Sequence, residues 1–251
     1  MKPHVALDFD GVICDSVDEC HITALNAYHR LAGEKQWVDG LESLNPAAVD
    51  RFRSLRYLAR NAAEFWLLIH LTYHQDGPVD EDQFACLSRE HAATLAAFEP
   101  GFFEAREQLR SADLGKWLDL HRIYPQFLDG WKTIQASHPV YLVTTKDLAS
   151  IQHFIRHWKL SIPEDHLWTK ERGTDKAQAV LTFAETAGVN PADFFFVDDH
   201  PHHVRLVAAT GARCFWASWG FLGAYGPASA VGSKLAAIDR MSDLVPHLGD
   251  H

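Results

Sequence analysis

The stretch VALDFDGV, Val5 to Val12, decides how this chain folds. Val5, Ala6 and Leu7 form a short apolar run of the kind found in a strand buried on both faces. The run closes on Asp8 and Asp10, two residues apart, with Gly11 directly behind them. A buried carboxylate is costly and a second one beside it adds repulsion, so something must offset negative charge where this strand ends.

Four further runs share that character: PVYLVTT at 139–145, HLWTK at 166–170, DFFFVDD at 193–199 and ARCFWAS at 212–218. From residue 147 onward they alternate with the helical patterns LASIQHFIRHWKL, DKAQAVLTFAETAG ending on Gly188, and PHHVRLVAATG closing on Gly211. This alternation predicts an α/β fold with a parallel sheet flanked by helices. Between the first strand and the second the rhythm fails, because a crossover is usually a single helix and this one carries several. Its patterns are VDECHITALNAYHRLAG, PAAVDRFRSLRYLARNAAEFWLLIHLTY, DEDQFACLSREHAATLAAF and PGFFEAREQLRSA, separated by Asn45-Pro46, Gly77-Pro78 and Pro100-Gly101. The reading is an all-α domain at 17–123 inserted into an α/β domain made of 1–16 and 124–251, with two passes of the chain forming a hinge.

The 251 residues are 47% hydrophobic, enough for each domain to bury a core. A net charge of −10 argues against a nucleic-acid partner, which requires clustered Lys and Arg. The cysteines at 14, 20, 86 and 214 form no CxxC pair and no zinc spacing with histidine, which fits a reducing cytoplasm. A first strand starting near residue 4 leaves no room for a secretion signal. FWLLIHLTY at 65–73 is far shorter than the roughly 20 apolar residues of a membrane span and reads as a core helix. A cytoplasmic monomer or homodimer without membrane or nucleic-acid partners is expected.

In open parallel sheets ligands gather beyond the carboxyl ends of the strands. Here those ends carry Asp8 and Asp10, then Thr144, Thr145 and Lys146, then Asp198 and Asp199. A lone Asp at a strand end is most simply a turn residue, but three polar ends in one sheet point to a site.

These residues resemble the haloacid dehalogenase superfamily of phosphohydrolases, a Rossmann-like core with an α-helical cap of the C1 subgroup inserted after the first motif. The resemblance rests on Asp8-Phe9-Asp10-Gly11-Val12, on Thr144 closing the second core strand, on Lys176 at a helix start in GTDKAQAV, and on Asp198-Asp199 closing FFFVDD. Lys170 is the rival to Lys176, which is preferred because its distance to the acidic strand matches the family. The resemblance implies a phosphatase in which Asp8 is the nucleophile, Asp10 the acid and base, Thr144 a hydrogen-bond donor to a phosphate oxygen with Thr145 beside it binding substrate, and Lys176 the balancing cation. It also implies Mg²⁺ held by Asp8, Asp199 and the backbone carbonyl of Asp10, with Asp198 or a water taking the place of a further acidic ligand, since a carboxylate attacking phosphorus needs a dication to screen two anions. That ion is what would make the acidic cluster tolerable. Asp10 favours phosphoryl chemistry over halide removal, which needs no leaving-group acid.

The implied substrate is a small phosphorylated metabolite, in the manner of phosphoglycolate phosphatases. A phosphomutase of the same fold and a non-catalytic phosphate-binding protein are the alternatives. Where many relatives carry a further acidic residue, this chain has His203 in the run His200-Pro201-His202-His203, which reads as solvated or phosphate-contacting, with a softer metal as the other option. The inserted domain is expected to select the leaving group. There Arg53, Arg56 and Arg60 share one helical face that would either meet an anionic substrate or stay exposed; Arg106, Arg110 and Lys116 pose the same choice. GFLGAYG at 220–226 and GPASAVGSK at 226–234 lack the spacing of nucleotide-binding glycine loops and read as plain loops.

Overall fold

A computed structural model describes residues 2–226 and 235–249, and the chain divides into two compact units, one of residues 1–15 with 123–251 and one of residues 16–122. The first contains a six-stranded sheet: β1 (His4–Leu7), β4 (Val140–Val143), β5 (Leu167–Trp168), β6 (Phe194–Asp198), β7 (Arg213–Ala217) and β8 (Ala236–Ile238). The short strands β2 (Cys14–Asp15) and β3 (Arg122–Ile123) lie where the chain leaves and returns. The order across the sheet is β5-β4-β1-β6-β7-β8, and every described pairing within it is parallel.

Apolar runs without alternation suit this arrangement, because both faces of a central strand are covered. Val5, Ala6 and Leu7 are wholly buried, as are Phe194, Phe195, Phe196 and Val197. On one face Ala6, Tyr141, Val143, Phe194 and Phe196 pack with Val180 and Phe183 of the helix Lys176–Ala187. From β1 the chain steps to β4 and β5 on one side, then returns to β1's other flank at β6 and continues to β7 and β8. The switch therefore falls between β1 and β6, where an open α/β sheet forms its ligand crevice. Leu7 pairs with Val197, so the first residues beyond the two strands meet across that crevice.

The sixth strand, Ala236–Ile238, escapes sequence reading because three residues, two of them alanine, carry almost no strand signal. HLWTK shortens to Leu167–Trp168. The GFLGAYG segment forms a short helix, Phe221–Tyr225, where a loop is expected. Of the second glycine segment, residues 227–234 lie outside the described residues.

The helical unit contains α1 (Val17–Leu31), α2 (Pro46–Leu55), α3 (Phe65–Tyr73), α4 (Glu81–Glu90), α5 (Ala92–Ala112) and α6 (Leu114–Asp119). The single helix expected from Pro46 to Tyr73 breaks in two. After Leu55 the chain tightens through Arg56–Leu58, turns extended at Ala59, and is pinned by Glu64 accepting from the Arg60 N–H (2.6 Å) and Asn61 accepting from the Glu64 N–H (3.2 Å). Such side-chain bonds compete with helical ones. Arg60 thus lies off α2, and the single basic face of Arg53, Arg56 and Arg60 does not form. Conversely, Pro100 sits inside α5 instead of ending it: Phe98 and Phe102 are both buried, and their packing outweighs the one backbone bond that proline removes. No helix among the described residues is long and apolar enough to cross a membrane.

Candidate active site

Asp8 follows β1 directly, and its N–H donates to the Val197 carbonyl at 3.0 Å, which sets it opposite Asp198 at the end of β6. Asp8, Asp198 and Asp199 are all buried and each offers one carboxylate oxygen, these lying within 4.8 Å of one another. Lys176 begins its helix because Asp175 caps it, accepting from the Ala177 and Gln178 N–H groups. That cap aims a buried ammonium into the acidic group, 2.9 Å from Asp8 Oδ2 and 2.7 Å from Asp198 Oδ2. Of the two candidate lysines it is Lys176 that reaches Asp8; Lys170 starts a turn whose N–H donates to the Lys146 carbonyl.

Burial pushes the Asp8 carboxyl up to about 7; Lys176 pulls against this, while Asp198 and Asp199 push with it. Burial opposes ionisation at Asp198 as well, yet Lys176 and His203 prevail and hold it below the ordinary carboxylate range. The Lys176 ammonium, disfavoured by burial, is kept above the usual lysine range by Asp198 and Asp8. Asp198 and Lys176 thus form a firm ion pair beside an Asp8 whose charge is only partly compensated.

Asp199 is fixed by a device invisible in the strand pattern. Its Oδ2 accepts from the Phe221 N–H at 2.9 Å and its carbonyl accepts from the Trp216 indole at 2.7 Å. A methyl group on Gly11 would lie 2.3 Å from the Asp199 carboxyl carbon, and one on Gly220 would lie 2.2 Å from its Cβ. Gly11 also has φ +90°, which side chains rarely adopt. The dismissed GFLGAYG segment therefore holds a site carboxylate, and only the pairing of β6 with β7 brings it there.

Thr144 is buried just past β4, its N–H donating to the Trp168 carbonyl (2.9 Å) and its Oγ1 accepting from the Lys146 N–H (3.1 Å), which leaves the hydroxyl proton for another acceptor. Thr145 is half-buried on the bend that follows. Asp10 is partly exposed and pairs with Lys146, whose Nζ lies 3.1 and 3.5 Å from its two oxygens. The motifs mark Lys146 as a strand-end residue without revealing that contact. The His200 N–H donates to Asp198 Oδ1 (2.8 Å), and His203 Nδ1 stands 3.4 Å from Asp198 Oδ2. Arg53 and Arg56 have partners in the helical unit: Arg53 pairs with Asp18, and Arg56 donates to the Ala59 carbonyl (2.7 Å) with its guanidinium over the Phe65 ring. Arg106 is also internal, bonded to Glu19.

The donor set is all hard oxygen at short mutual range, a chemistry that suits Mg²⁺. No protein-family model matches the sequence, and no curated protein matches it. Solved structures do. A haloacid dehalogenase-like hydrolase, SP0104 from Streptococcus pneumoniae, is similar at 17% identity and TM-score 0.60, with 98% of each chain covered. A protein described as a predicted phosphoglycolate phosphatase from Haemophilus somnus is similar at 13% identity and TM-score 0.62, over 98% of this chain and 97% of that one. CbbY from Rhodobacter sphaeroides, solved with phosphate, is similar at 14% identity and TM-score 0.58, over 97% and 96%. The fold is that of the haloacid dehalogenase-like hydrolases.

Proposed function

We propose that this chain is a Mg²⁺-dependent phosphatase that hydrolyses a small phosphorylated metabolite through an aspartyl-phosphate on Asp8. The observation that carries the reading is the placement of Asp8 at the β1–β6 crevice, between Lys176 at 2.9 Å and the carboxylates of Asp198 and Asp199. Asp8, Asp199 and the Asp10 carbonyl would hold the ion; Asp198, whose oxygens already meet Lys176 and the His200 N–H, anchors Lys176 and adds negative charge nearby. When bound, a dication supplies the positive charge that favours ionised Asp8 and screens it from an incoming phosphate ester.

The chain's own residues then perform two displacements. An Asp8 oxygen attacks phosphorus, the bond from phosphorus to the leaving oxygen breaks, and Asp10 gives that oxygen a proton. Water next attacks the phosphorus of the aspartyl-phosphate while Asp10 takes its proton, which releases inorganic phosphate and restores the Asp8 carboxylate. The Thr144 hydroxyl and Lys176 ammonium hold the phosphoryl oxygens as charge develops on them.

The test is phosphate release from a panel of phosphorylated metabolites, phosphoglycolate included, and from an aryl phosphate, with Mg²⁺ and then with a chelator. Turnover should require the metal, and Asp8→Asn should lower it by about 10³-fold or more while the melting temperature stays near that of the parent protein. Full turnover in Asp8→Asn would overturn the proposal.

A further inference from the structure

Resting on the phosphatase reading, we infer that Lys146 is a positioning residue that holds the Asp10 carboxylate where it can exchange a proton with the leaving group. Lys146 is 2% exposed, and its side chain is wholly covered. Its ammonium lies 5.8 Å from the ring centres of Phe9 and Phe154, which pack against each other in a tilted pair at 4.9 Å, and it meets both Asp10 oxygens. Burying an ammonium costs several kcal/mol unless it is paired and hydrogen-bonded, so so well covered a lysine is tightly tied to the carboxylate it meets. Its backbone is fixed too: the N–H donates to Thr144 Oγ1 at 3.1 Å and the carbonyl accepts from the Lys170 N–H at 3.1 Å.

The two lysines divide the two carboxylates of DFD between them. Lys176 takes Asp8, and Lys146 takes Asp10. Although Asp10 is two residues from Asp8, its carboxylate is not part of the close group formed by Asp8, Asp198 and Asp199. An aspartate side chain turns about two bonds, and an acid-base residue drawn toward a dication would be lost to the leaving oxygen. Lys146 restrains that swing, as residues behind a reacting group commonly do.

Hydrolysis of p-nitrophenyl phosphate and of an alkyl phosphate, each with saturating Mg²⁺, should be compared for Lys146→Met, Asp10→Asn and the double variant. The p-nitrophenolate ion departs without a proton, whereas an alkoxide needs one. Lys146→Met should lower kcat by about 10–100-fold on the alkyl ester and much less on the aryl ester, with KM little changed. The double variant should be no slower than Asp10→Asn alone, and Lys146→Arg should recover part of the loss. Lys146→Gln gives the same comparison if the methionine variant fails to fold. Equal losses on both esters, or additive losses in the double variant, would overturn the assignment. An inert Asp8→Asn with an unaffected Lys146→Met would sink only the role of Lys146, whereas a fully active Asp8→Asn would sink the phosphatase reading beneath it.

Discussion

Glu19 in the helical unit and Asp8 in the α/β unit are both buried carboxylates, and their surroundings differ in kind. Both oxygens of Glu19 are taken by Arg106, at 2.8 and 2.9 Å in a bidentate pair, and the Thr23 hydroxyl adds a bond at 2.7 Å. Asp8 shares Lys176 with Asp198 and also faces Asp199. The helical unit thus answers its buried charge from within, and the pair serves as structure. The strand ends keep carboxylates close together while the Asp8 carboxyl sits near 7, the condition in which a cation from outside gains most. A buried ion is evidence of a site when its partners leave it under-compensated.

The largest test of that contrast is Arg106→Met, which strands Glu19 and should cost about 3–5 kcal/mol in denaturant unfolding. The Glu19→Leu, Arg106→Met double variant should regain most of this loss, because shape then replaces charge; if it stays as unstable as the single variant, the pair is more than internal compensation. Next comes Gly220→Ala. Its methyl would lie 2.2 Å from Asp199 Cβ and 2.6 Å from the Gly11 carbonyl oxygen, and the second of these is backbone. Overpacking of this kind costs about 1–3 kcal/mol. Calorimetric titration with Mg²⁺ should also show weakened binding, and unchanged affinity would mean that the turn does not orient Asp199.

The smallest effect sharpens the comparison from the helical side. His21 is buried, stacked on Phe52 at 4.2 Å with Nε2 2.9 Å from the Tyr73 hydroxyl, and burial followed by nearby Arg53 lowers its pKa to about 3. The folded chain keeps this ring neutral while the unfolded chain protonates it below its ordinary 6.5. Its contribution is therefore full above that pH and is lost on acidification toward 3, by at most about 1.4 kcal/mol per pH unit. Urea unfolding at pH 7 and pH 5 should show a smaller acid loss in His21→Phe than in the parent; equal losses would mean that His21 is charged in the fold.

Legibility followed the range of the forces involved. The apolar runs ending in Asp8, Thr144 and Asp198 were readable because a strand covered on both faces must be apolar until it reaches the crevice. Lys176 was marked out from Lys170 by the family resemblance, since a lysine near a helix start is by itself no sign of a site. The break between Leu55 and Phe65 was not, since Glu64 and Asn61 bind backbone groups that composition does not single out. Nor was the uninterrupted helix through Pro100, which depends on where Phe98 and Phe102 are buried.

A parallel α/β sheet with a long helical insertion, and Asp8, Asp10, Thr144 and Asp199 at or just past its strand ends, could be read from residue order alone, because hydrophobic periodicity and strand-end polarity are local. It took the folded chain to pair Lys146 with Asp10, to set Gly220 and Phe221 against Asp199, and to give Arg53, Arg56 and Arg106 partners in their own unit. Those facts depend on contacts between residues far apart in the chain, which burial and strand order create and no short stretch of sequence contains.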